Sequence, residues 1–282
     1  MAIVDINANT RLYGVIGDPV SHSLSPVMHN AAFRAIEYNG VYVAFHVKNI
    51  KDAVSGVRAL NIQGASVTIP HKVTVMAHLD EIEGKAKKIG AVNTIVNRDG
   101  WLFGYNSDCE GAIRALGEAT SIQGKKVLLL GAGGAARAIG FGILEAGGSL
   151  TILNIIKEEG ERLAKDLGVH YYPLESYRDF ECDILINATP VGMTPRTDAM
   201  PISSDFLKKE MVIMDIVYNP LKTLLLKEAE KKGCKTVDGV SMFVYQAISQ
   251  FESWTGQGAP YDLMRKTVLK ALHPGEKEDG DQ

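Results

Sequence analysis

Cysteine is scarce in this sequence, with Cys109, Cys182 and Cys234 the only three in 282 residues. Odd in number and far apart, they form neither a disulfide framework nor a CxxC metal pair, and they suit a reducing cytoplasm. The seven histidines show no HxxxH or comparable ligand spacing, so no metal centre is expected. A basic excess is missing too: 30 Lys and Arg against 33 Asp and Glu leave a formal net charge of -3. Without a basic face to neutralise a phosphate backbone, nucleic acid is not an expected partner. No run approaches the roughly 18 apolar residues needed to span a bilayer. The opening MAIVDINANTRLYG has neither the basic n-region nor the apolar h-region of a signal peptide. Export, a membrane anchor and a membrane partner are therefore not expected.

What is present is ordinary in bulk. Apolar residues are 46% and charged residues 22%, which argues against disorder, a coiled coil or a membrane bundle. A length of 282 residues suits two domains of average size. Glycine alone is in excess, at 28 residues or about a tenth of the chain against about 7% usually. Such an excess points to left-handed turns and close backbone approach.

The first hundred residues alternate short β-rich runs with helical patterns, the signature of an α/β layer with mainly parallel strands. Strands are predicted over residues 11–16, 41–47, 65–69 and 91–97, with a hairpin-like return through 97–100 to 101–105. Ser25 before Pro26 reads as an N-cap with proline at the first helical position, followed by Val27, Ala31 and Ala35 at helical spacing. From Lys125 the pattern restarts as a cleaner βαβ unit: strand KKVLLL, a glycine-rich turn, a helix over 135–146, then strand SLTILN. Further strands are predicted at 183–187, 211–215 and 235–237, with a helix over 221–232. Two last helices, 243–254 and 261–272, follow the final strand and are expected to cross back onto the first domain. Domain boundaries fall near 110 and 240, and 273–282 reads as a disordered polar tail.

Gly131, Ala132, Gly133, Gly134, Ala135 and Ala136 follow a strand and open a helix, matching G-x-G-x-x-G/A in the context that gives that motif meaning. The first glycine permits the tight turn and the second lets a diphosphate approach. The small third residue, Ala136, lets helix and strand pack closely. Free N–H groups and the helix dipole then favour the anion. A glycine turn without a ligand is the plain alternative, and the flanking strands and helix favour the dinucleotide. The end of the second strand carries neither the acid that suits NAD nor the arginine that suits NADP: it reads Asn154, Ile155, Ile156, Lys157, Glu158, Glu159. Lys157 is either a phosphate contact or a solvated surface lysine.

Four polar clusters lie where the first strands should end, the usual ligand edge of an open α/β sheet. Ser21, His22, Ser23 and Ser25 place hydroxyls at a helix entrance, where a helix cap is the default role. Ser66 and Thr68 alternate onto one strand face before Pro70, after which Lys72 is expected to start a helix. A cation there is mildly unfavourable, so its placement asks for another reason. Asn93 and Thr94 follow in GAVNT, and Asp108 in GYNSDCEG. Taken singly each is an ordinary loop. Together, hydroxyls, amides, one lysine and one aspartate describe a pocket for a small polyhydroxylated molecule beside a dinucleotide. Ketone reduction needs a hydride from the cofactor and a proton from a group such as a lysine held by a carboxylate.

At these residues the chain resembles the shikimate dehydrogenase family. The resemblance runs from GDPVSHSLSP at 17–26 through SVTIPHK, GAVNTI, GYNSDCEG, GAGGAARA, NATPVGM and DIVYNP to DGVSMFVYQA at 238–247. It implies two α/β domains with a cleft between them. Residues 1–110, completed by the helices of 241–272, would bind substrate, and a Rossmann domain of 111–240 would bind NAD(P). The activity implied is reversible NADPH-dependent reduction of 3-dehydroshikimate to shikimate, in chorismate and aromatic amino-acid biosynthesis. Ser23 and Ser25 would hold the substrate carboxylate, and Thr68, Asn93, Asp108 and Gln246 its ring hydroxyls. Lys72 would be the catalytic acid/base with Asp108 as partner, and Tyr218 would lie near the substrate. Ile216, Gly239 and Met242 would line the nicotinamide site, with Asn187 and Thr189 edging the cofactor cleft. A monomer or homodimer acting on a small molecule is implied.

Two departures stand out. Many relatives carry arginines beside the second Rossmann strand, where this chain has Ile155 and Glu159. Losing a bidentate fork weakens selectivity for a phosphate, so NADP is the family expectation and NAD a serious alternative. Ser66 replaces a common asparagine, which opens quinate as a substrate; the Ser23, Ser25 and Thr68 set favours shikimate. A quinate dehydrogenase and a non-catalytic dinucleotide sensor are the competing readings, and Lys72 with Asp108 argues against the sensor.

Overall fold

The computed structural model describes residues 6–273. The tail expected at 273–282 lies outside the described residues apart from His273. Two six-stranded sheets form, each with helices on both faces.

The first sheet contains β1 (Arg11–Gly17), β2 (Gly40–His46), β3 (Gly64–Val67), β4 (Glu81–Ile82), β5 (Thr94–Arg98) and β6 (Trp101–Tyr105), in the order β2-β1-β3-β5-β6-β4. The helices α1 (Ser25–Ala35), α2 (Ile50–Ala59), α3 (Gly84–Ile89) and α4 (Asp108–Gly117) alternate with these strands. The β1, β2 and β3 strands run parallel, whereas β5 is antiparallel to both β3 and β6. The turn residues 97–100 thus make the hairpin their composition predicts. The strand expected at 91–97 begins only at Thr94, because the Val92 N–H bonds to the Lys72 carbonyl at 2.8 Å instead of to a neighbouring strand.

The second sheet contains β7 (Lys126–Leu130), β8 (Ser149–Asn154), β9 (His170–Pro173), β10 (Ile184–Asn187), β11 (Val212–Asp215) and β12 (Lys235–Val237), in the order β12-β11-β10-β7-β8-β9, all parallel. Central parallel strands are covered on both faces and so read as unbroken apolar runs. In β7, Val127 and Leu129 pack against α5 (Gly134–Glu145) and α6 (Lys157–Leu167), while Leu128 and Leu130 pack against α7 (Leu224–Lys231). The predicted βαβ unit is therefore present, with its helix starting one residue early.

The chain then returns. Helix α8 (Gly239–Thr255) and helix α9 (Tyr261–Leu272) pack on α1 and on the first sheet through Val240, Val244, Phe251, Trp254, Met264 and Val268. The Trp254 indole N–H donates to the Ile95 carbonyl at 2.9 Å, fixing α8 across β5. Helix α8 exceeds its predicted 243–254 because Asp238 caps it, accepting from the Ser241 N–H at 2.8 Å. Among the described residues no helix is long and apolar enough to cross a membrane.

Candidate active site

Lys72 follows β3 and Asp108 follows β6, two strands whose C-terminal ends share one edge of the first sheet, and there the two side chains meet. The ammonium Nζ donates to Asp108 Oδ2 at 2.5 Å, with the two side chains 14% and 6% exposed. Asp108 opens α4, and Lys72 lies in the turn after β3. The helix expected to start at Lys72 is replaced by a 3-10 turn at Thr74–His78, where Val75 is the buried side chain. That is too little apolar surface to stabilise a regular helix. The carboxylate, and not a helix terminus, accounts for the lysine's position.

Around this pair the polar side chains form a connected set. Asn93 donates to Ser107 Oγ at 2.9 Å and to Gln246 Oε1 at 3.4 Å, while its own Oδ1 accepts from the Ser107 N–H at 2.8 Å. Asn93, just before β5, and Asp108 and Gln246, on α4 and α8, are thus gathered at one edge of the sheet. Tyr218 reaches across from the segment after β11: its ring stacks on Phe243 at 4.5 Å, its phenol faces Leu24 and Ser23, and burial pushes that phenol up. Thr68 is half-buried at the end of β3. Ser25 is buried as the first residue of α1. It is therefore not the N-cap expected: the helical turn already includes Ser25, and Leu24 holds the cap position with no side-chain bond.

The Ser66 hydroxyl is fully engaged within the protein. It accepts from Tyr42 at 2.6 Å and donates to Gln250 Oε1 at 2.7 Å, and Gln250 donates in turn to the Asn93 carbonyl and to Thr94 Oγ1, both at 3.1 Å. This buried Tyr42–Ser66–Gln250 network, like Ser107, is absent from the sequence reading. Gln250 lies four residues after Gln246, so helical spacing alone would have put both amides on one face.

The glycine turn faces this cluster from the second sheet. Gly131 has φ +111°, and an ideal Cβ there would lie 2.9 Å from the Ala188 carbonyl oxygen, so glycine is required on both counts. Gly133 precedes α5 with no side-chain cap on the helix, and a Cβ at Gly133 would meet nothing within 4 Å. Uncapped first-turn N–H groups facing open space fit a dinucleotide diphosphate. Ala132 and Ala135 flank the turn half-buried. Gly134 abuts Lys72, whose Cβ would be 3.0 Å from a Cβ added there. Thr189 donates through its hydroxyl to Asn187 Oδ1 at 2.6 Å, the Ile216 N–H donates to the Asn187 carbonyl at 3.1 Å, and Gly239 and buried Met242 open α8 beside them.

At the far end of the turn, buried Asn154 bonds through its amide to the Ile156 carbonyl at 2.9 Å. Ile155 and Ile156 are 76% and 46% exposed, and Lys157 lies 3.8 Å from Glu161 on its own helix, whose first turn carries Glu158 and Glu159. The structure does not bring Lys157 to Asn154.

With this geometry in view, comparison with known proteins gives a consistent answer. The family described as "Shikimate dehydrogenase substrate binding domain" matches residues 15–95, and "Shikimate 5'-dehydrogenase C-terminal domain" matches 239–269. The chain is 45% identical over 280 residues to a protein of Methanothermobacter thermautotrophicus named shikimate dehydrogenase (NADP(+)), covering 95% of this chain and 99% of that protein. A shikimate dehydrogenase solved in complex with NADP+ superposes with a TM-score of 0.91 at 43% identity, covering 95% and 98% of the two chains. The Thermus thermophilus shikimate 5-dehydrogenase, solved with NADP(H) and shikimate, gives 0.86 at 35% identity, covering 93% of this chain and 100% of that one. A sheet edge carrying a lysine–aspartate pair, a glycine turn opposite it and near-complete overlap with these relatives converge on one conclusion: the chain belongs to the shikimate dehydrogenase family.

Proposed function

We propose that this protein is a cytoplasmic shikimate dehydrogenase, interconverting 3-dehydroshikimate and shikimate with NADP(H) on the route to chorismate and the aromatic amino acids. Residues 1–110 with the helices of 241–272 form the substrate domain, and 111–240 the dinucleotide domain. With the dinucleotide's diphosphate at the glycine turn, its nicotinamide would supply the hydride that goes to the ketone carbon.

The chain's own residues do the rest. Lys72 Nζ delivers the proton to the ketone oxygen in reduction and takes it back in oxidation. Asp108, accepting from Nζ at 2.5 Å, fixes the ammonium in direction, and its second oxygen accepts from a ring hydroxyl. Ser23 and Ser25 hold the carboxylate, and Tyr218 lies near the substrate. Thr68, Asn93 and Gln246 take the remaining hydroxyls, with Asn93 held in place by Ser107. Pair burial keeps water from competing for the proton.

The observation that supports this reading is that the stem of Lys72, whose ammonium pairs with Asp108, lies directly against Gly134 of the glycine turn. For the cofactor, the exposed isoleucines and acidic first turn of α6 favour acceptance of NAD as well as NADP. A four-way steady-state assay of shikimate and quinate, each with NAD and NADP, tests the reading. Shikimate oxidation at much higher kcat/KM than quinate supports it, and no turnover of shikimate with either cofactor overturns it.

A further inference from the structure

Outside the lysine–aspartate pair, the most deeply enclosed acid is Asp215, at the C-terminal end of β11 and fully buried. Burial pushes its carboxyl up to about 6, opposed by three neutral donors. Thr223 Oγ1 donates to Oδ2 at 2.7 Å, and Asn187 Nδ2 and the Val217 N–H donate to Oδ1 at 2.9 and 3.0 Å. A sheet core has no need of an acid for its packing, since desolvating a carboxylate opposes folding unless the groups around it compensate.

What those donors have in common is location. Asn187 pairs with Asp215 across β10 and β11 and with Leu130 on β7, next to the glycine turn. Held by Asp215, Asn187 uses its Oδ1 to accept from the Thr189 N–H at 3.1 Å and the Thr189 hydroxyl at 2.6 Å, and Thr189 Oγ1 accepts from the Val191 N–H at 3.2 Å. The segment so ordered presses on Gly131, where a Cβ would be 2.9 Å from the Ala188 oxygen. On its other side the Asp215 carboxylate holds the Val217 N–H. The Ile216 and Val217 carbonyls pack so closely on Gly239 that a Cβ there would fall 2.6 and 2.5 Å from them.

We propose that Asp215 is the positioning residue of the dinucleotide cleft: its carboxylate holds residues 187–191 against the glycine turn and 216–217 against the start of α8. Both walls that receive the nicotinamide half are thereby fixed by one buried group. The inference rests on the NADP(H) reading above, and it assigns Asp215 no contact with cofactor or substrate.

The test is direct titration of NADP+ and NAD+ into the full-length wild type, Asp215→Ala and Thr223→Val, by calorimetry, with kinetics on shikimate in parallel. In Asp215→Ala the dinucleotide Kd and KM rise about tenfold while the shikimate KM stays within about twofold, because a misplaced wall affects one ligand and not the other. Thr223→Val, nearly isosteric and losing one donor, gives the same pattern at about threefold and decides the matter if the alanine variant does not fold. Dinucleotide Kd within about twofold of wild type in the folded variants overturns the inference, as does an equal rise in both KM values. A wild type that binds dinucleotide without oxidising shikimate sinks the catalytic reading and leaves this inference to the Kd comparison. A wild type that binds neither dinucleotide overturns both.

Discussion

Gly134, the first residue of the dinucleotide helix, touches the aliphatic stem of Lys72: a Cβ on the glycine would lie 3.0 Å from Lys72 Cβ and 3.2 Å from its Cδ. Two sheets remote in sequence thus meet at the lysine. Gly134→Ala should displace the stem by a few tenths of an ångström, lowering kcat by about tenfold through misorientation of the ammonium. Steady-state kinetics with a thermal melt check it; an unchanged kcat in a folded variant would show that the lysine adjusts freely.

Removing the ammonium itself is the larger perturbation. Lys72→Ala should lower kcat by about 10² to 10⁴ with little change in shikimate KM, the loss of a proton-transfer group. Asp108→Asn should lower kcat and raise KM together, since it holds Nζ and, in the proposed role, accepts from a ring hydroxyl. Turnover retained in Lys72→Ala would take the lysine out of the mechanism.

Cofactor preference should be weak. The exposed Ile155 and Ile156 and the acidic residues Glu158 and Glu159 offer a 2′-phosphate no guanidinium at the end of β8. The ratio of kcat/KM for NADP over NAD should stay below about a hundredfold, or nearly 3 kcal/mol. A larger measured ratio would mean that another cation reaches the ribose.

A fourth prediction concerns acid stability. His29 on α1 is fully buried with no hydrogen-bond partner at either ring nitrogen, stacked on Tyr42 at 4.5 Å, and burial lowers its pKa from 6.5 to about 3. The unfolded chain therefore takes up this proton first. Stability from the neutral ring is fully present above pH 6.5 and is lost as pH falls toward about 3. Replacing it with an apolar ring, His29→Phe, removes that loss, so denaturant unfolding at pH 5 should favour the variant by about 2 kcal/mol more than at pH 7. An equal difference at both pH values would show that His29 titrates normally.

Part of the site was legible because its signals are local. The strand, glycine turn and helix around Gly131 depend on neighbouring residues, and the β8 strand was placed at its observed limits, 149–154. Lys72 and Asp108 were readable as reactive types in polar loops. Their pairing is implied by the family resemblance alone; 35 residues and several elements separate them, and no local periodicity encodes the 2.5 Å contact. Ser25 and the segment after Lys72 were misjudged for a related reason: helix signals in a short stretch yield to whichever side chains the neighbouring sheet buries.

Sequence alone determined two α/β layers, a glycine-rich turn opening a helix, the chemical inventory of the sheet-edge loops and the missing guanidinium beside Asn154, because each follows from local pattern or residue type. Tertiary structure alone decided which groups act together. It set Lys72 between Asp108 and Gly134, engaged the Ser66 hydroxyl with Tyr42 and Gln250, and gave buried Asp215 its donors from Asn187, Val217 and Thr223. Contacts of that kind depend on how helices α4 and α8 and the two sheets pack, and packing energy is shared across the whole chain and not carried by any one segment of it.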